Sequence, residues 1–418
     1  AVNISSTSTN NTDIDTGSGA INTAGGNVTV TANSYGGSGT ETINAGSGTV
    51  TLRNRTAGTL VDIGGTSADV TTGASLKLGV SSAELARITA ANVVIGRNDA
   101  TGSGNITLNA TNLGALGNTG ANLSVLSGND ITISSAITKS TGTDATLTLN
   151  AVNGINVNAA VGGTVAGAGK LNVAMTANGN TALAADSKGL VVLSSINTNG
   201  GSATLTGKSK SGAGGSSNSA IRFGGASIIA ETMTITGNQT GSNAATDTNG
   251  IYLSGTNSFQ SKSGISTLTG TSNAIGNFGG GIFSADGSST SFDSGSGELK
   301  LLGLNSNSGY RGLRIGGSNT ATINTKGNIT FEDTGFQVML RGQLTQQANT
   351  TVNFKGKGVS MYAGTSVVKA TGATGTTLNL DAQTVVVGDA GGAALTADTI
   401  NITGTTTTSG TTAVQVLR

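Results

Sequence analysis

The chain has 418 residues, 68 of them Gly, with no Pro, Cys, His or Trp, and 21 Lys and Arg against 20 Asp and Glu give a formal charge of +1. Without His or Cys there is no Ser-His-Asp triad, no thiol nucleophile, no ordinary zinc site and no disulfide framework. The charge balance leaves no basic footprint for nucleic acid, and no apolar run reaches the roughly 18 residues of a membrane-spanning helix.

Taken in order, the first strand signals are Val28-Thr29-Val30, Val50-Thr51-Leu52 and Leu76-Lys77-Leu78, each with apolar residues two apart. A departure follows at 81–88, where Ser81 stands three residues before Glu84, and Leu85 and Ile88 are spaced for one helical face. This pattern predicts a capping box and one or two helical turns. Strands resume at Val93-Val94-Ile95 and Ile106-Thr107-Leu108.

A repeat then emerges. The apolar pairs Leu123/Val125, Leu147/Leu149 and Leu171/Val173 recur at 24 residues (147 − 123, 171 − 147), and Ile131/Ile133 is answered at the same step by Ile155/Val157. Asn129 and Asn153 keep this step at a corner where stacked amides can bond from rung to rung, and Ala136, Ala160 and Ala184 suggest a tight inner corner. Gly179 takes the place of Ile131 and Ile155, so the third rung slides or bulges there.

Beyond about residue 195 the interval lengthens. Ile221-Arg222-Phe223-Gly224, Ile251-Tyr252-Leu253-Ser254, Ile282-Phe283-Ser284 and Leu313-Arg314-Ile315-Gly316 follow at steps of 30, 31 and 31 (251 − 221, 282 − 251, 313 − 282). A second series, Met233-Thr234-Ile235, Leu268-Thr269, Leu299-Lys300-Leu301 and Ile329-Thr330-Phe331, runs out of phase with it. Short strands at a fixed interval, each too small to bury its apolar face alone, indicate a chain coiled into stacked rungs. The expected fold is all-β, a right-handed parallel β-helix (solenoid) with short loop or helical excursions. It would be one continuous body over 1–418, with shorter rungs over about 1–195 and longer ones over about 196–418. Absence of Pro suits this architecture, because nearly every amide of a parallel stack donates to the next rung.

The strings TLRNRTAGTLVDIGG (51–65), LKLGVSSAELARITAANVVIG (76–96) and GNITLNA (104–110) resemble the filamentous-haemagglutinin-type repeat region of large Gram-negative surface proteins. The later GNITF and TINITG phrases are similar to the high-molecular-weight adhesins of that group. The resemblance implies a right-handed β-helical fibre exported by two-partner or related type V secretion, acting in adhesion, aggregation or biofilm. The Asn-Pro secretion motifs of that group are missing from this Pro-free chain, which reads as a segment of a longer protein. No functional residue is carried over.

Parallel β-helices also serve as polysaccharide-degrading enzymes, so the acidic pairs Glu332/Asp333, Asp286/Asp293 and Asp381/Asp389 are weighed as carboxylate couples. With eight Phe, four Tyr and no Trp there is little to floor a sugar groove, and solvated carboxylates are the better account. No Asp recurs at one rung position as a calcium roll requires, and no Gly-Lys-Ser/Thr ending makes the Gly strings phosphate loops. The pairs Thr204/Thr206, Thr234/Thr236 and Thr267/Thr269 read as a short outward Thr array. Sequons at Asn105, Asn122, Asn238, Asn328 and Asn401 are expected by chance in such a composition. No catalytic, cofactor-binding or metal-binding residue is assigned. The expected role is a non-enzymatic surface adhesin or fibre segment outside the cell. Its partners would be surface glycans, proteins or further copies of itself, besides an outer-membrane secretion partner, with no nucleic acid and no membrane insertion. The alternatives are a passive stalk presenting a distal domain and a β-helical polysaccharide-degrading enzyme.

Overall fold

A computed structural model describes residues 1–6, 14–15, 18–36, 40–71, 75–114, 116, 122–163, 167–178, 189–211, 219–241, 248–273, 279–306, 311–316, 321–362, 364–389, 393–408 and 413–414. The fold is a parallel β-helix. The chain divides into two compact units, Ala1–Ala182 with Ser194–Ser202 and Leu183–Leu193 with Ala203–Arg418.

In the first unit one face is a file of inward residues. Val28 lies on Val50, Val50 on Val93, Val93 on Leu123 and Leu123 on Leu147, each in parallel register. Period-2 alternation builds it. In the strand Ala145–Ala151 burial alternates strictly along Ala-Thr-Leu-Thr-Leu-Asn-Ala, because successive side chains leave opposite faces of the pleat. Each aliphatic side chain removed from water in this way contributes about 1.5–3 kcal/mol.

The 24-residue step fails at its second application. Leu147 lies on Val173 rather than Leu171, and Ala145 takes Leu171, so the third strand is displaced by two residues. An even displacement keeps every inward residue inward, which is why the alternation alone does not reveal it. Gly179 and Ala184 fall outside the described residues. Ala136 is exposed and Ala160 half-buried, so the expected inner corner is an outer one, and the residues that turn inward there are their neighbours Ile137 and Val161.

The strand Leu60–Ile63 is part of the stack, with Val61 under Ile106 and Ile63 under Leu108, and the excursion lies between Ile63 and Ile88. Leu60–Ile63 receives Lys77–Val80 on one edge, so Leu78 rests on Val61 and stands apart from the Val50–Val93 file. The helix Ser82–Ala86 follows, the one α-helix among the described residues, with the capping box complete. Glu84 N–H donates to Ser81 Oγ at 3.2 Å, and Ser81 N–H donates to Glu84 Oε2 at 2.7 Å. The helix is shorter than the expected span. Leu85 is buried from it, but Ile88 is already in the strand Ile88–Arg97, where it lies on Ile43.

In the second unit both series predicted from the sequence are in register. Ile221, Ile251, Ile282 and Leu313 form one file, and Ile235, Leu268, Leu301 and Phe331 another. A third file, Ile228, Phe259 and Phe292, completes three strands per turn. Past Leu313 the rungs shorten, with Leu313 facing Val338 and Val338 facing Val359 at steps of 25 and 21 (338 − 313, 359 − 338). Five fully buried Phe side chains cross the interior: Phe223, Phe259, Phe292, Phe331 and Phe354 contact in sequence with ring centroids 5.0, 5.7, 5.9 and 5.0 Å apart. Together these rings fill part of the interior of the second unit.

Candidate binding surface

The carboxylates are placed first by strand alternation. Asp333 is fully buried at the bend inside the long strand Thr322–Leu340. It accepts four backbone N–H groups: Gly312 at 2.6 Å, Gly335 at 2.7 Å, Phe336 at 3.1 Å and Gln337 at 2.9 Å. Glu332 precedes it in the pleat and is half-buried on the other face, so the two are not a couple across a groove. Asp286 is largely exposed and meets Arg314 at 3.4 Å, whereas Asp293 binds Lys326 at 3.3 Å and caps Gly295 N–H at 2.8 Å. Asp381 is exposed, and the side chain of Asp389 lies outside the described residues. Among the described residues no group of three or more Asp and Glu is gathered as a metal site would need.

Outward polar residues stack into bonded files. Asn129 Nδ2 donates to Asn105 Oδ1 at 2.7 Å, whereas Asn153 Nδ2 turns to Asp130 Oδ1 at 2.7 Å, so the amide stack expected at that corner runs for one step and then changes acceptor. A longer file joins Asn401 to Asn379 and Asn379 to Asn353, each at 2.7 Å, then Asn353 to Thr330 at 3.2 Å and Thr330 to Glu298 at 2.9 Å. Within the sequons, Asn122 Nδ2 is engaged by Asn92 at 3.0 Å and Asn401 Nδ2 by Asn379, while Asn105, Asn238 and Asn328 are exposed. Thr234 faces Thr267 and Thr236 faces Thr269, but Lys300 and Leu302 take the next rung, which limits the Thr array.

A different file carries charge and aromaticity together. The residue at the centre of each Ile-x-Leu-type strand in the second unit is in turn Arg222, Tyr252, Phe283, Arg314 and Met339, all in parallel register; Arg222 is exposed and Tyr252 half-buried, whereas Phe283, Arg314 and Met339 are buried. Tyr252 stacks on Phe283 with ring centroids 6.2 Å apart and planes 10° apart, and the Arg314 guanidinium lies 4.6 Å from the Phe283 centroid. Arg341 sits one rung on, its N–H bonded to Ile315 O at 2.9 Å and its guanidinium 5.0 Å from the Tyr362 centroid. Gly316 makes the turn beside it. Its φ is +79°, and a Cβ there would stand 1.6 Å from the carbonyl oxygen of Arg341. Burial pushes the Arg314 guanidinium below its ordinary range; the Asp286 charge opposes this, Arg341 and Arg311 add to it, and Tyr362 opposes it. Arg341 and Arg311 thus both bear on the Arg314 guanidinium, which pairs with Asp286. Patterning around acidic residues does not reach this group. Its signal is present in the strand phrases, whose middle residues read Arg, Tyr, Phe, Arg at steps of 30 and 31.

Compared with known proteins, the chain matches no family model, no curated protein and no solved structure.

Proposed function

We propose that this chain is a non-enzymatic segment of a bacterial surface fibre that works by attachment, either to glycans or proteins of another surface or to copies of itself, outside the cell. The observation that carries this reading is the state of the polar surface. Outward files of Asn, joined in places by Thr and Ser, are held in register by rung-to-rung hydrogen bonds, which gives a repeated polar display suited to many weak contacts rather than one pocket. Of the acidic residues weighed for glycosidic chemistry, Asp286 and Asp293 are paired with Arg314 and Lys326, and Asp333 is held in its ring of four amides. The similarity of the 51–110 strings to filamentous-haemagglutinin repeats supports the same reading, and with it export by a type V route.

The test is attachment by beads coated with the purified chain to epithelial and bacterial cells, against albumin-coated beads. Attachment that saturates and is competed by soluble chain is expected. Equal attachment of both bead types would make the chain a passive stalk, and release of reducing ends from an acidic polysaccharide, lost in Glu332→Gln, would make it an enzyme.

A further inference from the structure

In the second unit the strands of one sheet run on past the apolar core. Their inward column Leu205, Ile235, Leu268 and Leu301 is followed two residues on by Gly207, Gly237, Gly270 and Gly303. Two residues further stand Ser209, Gln239, Ser272 and Asn305, and all three columns are buried. At the glycine column the outgoing strand meets the returning one backbone to backbone. A Cβ on Gly237, Gly270 or Gly303 would stand 2.1, 2.0 or 2.3 Å from the carbonyl oxygen of Gly250, Gly281 or Gly312. The apolar interior therefore closes there, and beyond it each rung carries an arm with a polar interior of its own.

Hydrogen bonds hold the arm together where aliphatic contact holds the core. Ser272 Oγ–H has Thr248 O at 2.9 Å and Gln239 Oε1 at 3.3 Å as acceptors, and Gly280 N–H donates to Asn249 Oδ1 at 2.9 Å. Gln239 is 2% exposed, and its Nε2 is buried without a partner. In the next rung Asp333 takes the glycine column, in register with Gly303, and accepts the Gly312 N–H at 2.6 Å, so the column of arms ends at that carboxylate. A buried hydrogen bond gains less, net, than a buried aliphatic side chain, and an unsatisfied buried donor subtracts from the gain. The arm is thus the weakest part of each rung, while strand pairing ties the arms of successive rungs into one stack.

We propose that this stack of arms is a conformational device, which parts at the glycine column as one unit while the apolar core beside it stays closed. Opening turns Gln239, Ser272 and Asn305, stacked at a rung spacing of about 4.8 Å, from an inward file into an exposed one. Glycine suits the neck because two bare backbones separate and rejoin without repacking side chains. Asp333 anchors the far end through its bonds to Gly312 and to the bend at Gly335 and Phe336.

The test is hydrogen exchange of the whole chain, read by mass spectrometry over a series of sub-denaturing urea concentrations. Amides at 238–241, 271–272 and 304–305 should share one opening, with protection at least about tenfold below that at 233–236, 266–269 and 299–302. Fraying of separate strand ends also lowers protection, and two variants distinguish it from a common opening. Gln239→Leu removes the unsatisfied amide and should raise protection several-fold in all three arm segments, whereas fraying confines the gain to 238–241. Gly270→Ala sets a methyl against Gly281 O and should lower protection about tenfold in all three segments, with the core segments changed by less than about twofold. Thr269→Ala, whose side chain faces outward on the same strand, should alter neither set. Exchange of arm and core as a single unit, a gain in Gln239→Leu limited to its own rung, or an equal loss in arm and core in Gly270→Ala would each overturn the proposal.

Discussion

Removing the Asp333 carboxylate tests the account of the fold at its most demanding point. The side chain is fully buried and is the acceptor for the N–H groups of Gly312, Gly335, Phe336 and Gln337 at 2.6–3.1 Å. In Asp333→Ala all four donors lose their partner. A buried donor left unsatisfied costs about 1–3 kcal/mol. The loss is not four times that figure, because Phe336 is 42% exposed and the amides of the bend can relax toward water. Gly312 N–H lies in the packed interior and cannot. The expected loss is therefore about 3–5 kcal/mol, among the larger effects of a single substitution. Asp333→Asn keeps one oxygen but sets an NH2 group against donors, so it should fall between wild type and Ala. Stacked rungs open in parts, so the urea midpoint is to be read together with hydrogen exchange at Gly335, Phe336 and Gln337, whose protection should fall most. Gly312→Ala places a methyl 2.6 Å from Asp333 Oδ1 and should disturb the same network, giving a strongly non-additive double mutant with Asp333→Ala. A loss below about 1 kcal/mol in Asp333→Ala, no larger than that of the exposed Asp381→Ala, would refute the reasoning.

Leu147→Asp, which puts a charge in the file between Leu123 and Val173, should lose at least about 4 kcal/mol, and an unchanged denaturation midpoint would show that Leu147 faces solvent. Ser81→Ala removes the N-cap of the helix Ser82–Ala86 and should cost about 1 kcal/mol, an effect that shrinks but persists in the Glu84→Ala background, because Ser81 Oγ accepts the backbone N–H of residue 84, which Ala retains; an unchanged midpoint in Ser81→Ala would reject the cap. Asp398 is held down to about 2 from 3.8 by the Lys369 side chain first and then by the backbone N–H and hydroxyl of Thr376. Because the folded value is the lower one, its stabilising contribution is complete above pH 3.8 and is lost as the pH falls through about 2. In Lys369→Ala the carboxyl should titrate closer to 3.8 by NMR, and an unmoved curve would reject the pairing.

The architecture was legible in the chain's own pattern. Alternation of apolar and polar residues in short strands, repeated at near-constant spacing, leaves only stacking as a way to bury each rung, and Val28, Leu123, Leu147, Ile251 and Ile282, to which it points, are interior, whereas Leu76 is half-buried just before its strand. The capping box at Ser81 was equally legible, because its donors and acceptors lie within three residues of one another. Register was decided only in three dimensions. The two-residue displacement of Leu171–Ala177 preserves the inward face, so sequence alternation is silent about it, and loop closure and packing against the strand beneath select it. The surface was decided there as well. Arg314, Arg341, Phe283, Tyr362 and Asp286 are scattered over 80 residues of chain (362 − 283 + 1), and no local pattern marks them as one patch. Periodicity alone sets Phe283 against Arg314, but whether Arg341, Tyr362 and Asp286 join them depends on the length of each loop before the chain returns to the stack, a long-range geometric outcome that periodicity does not contain.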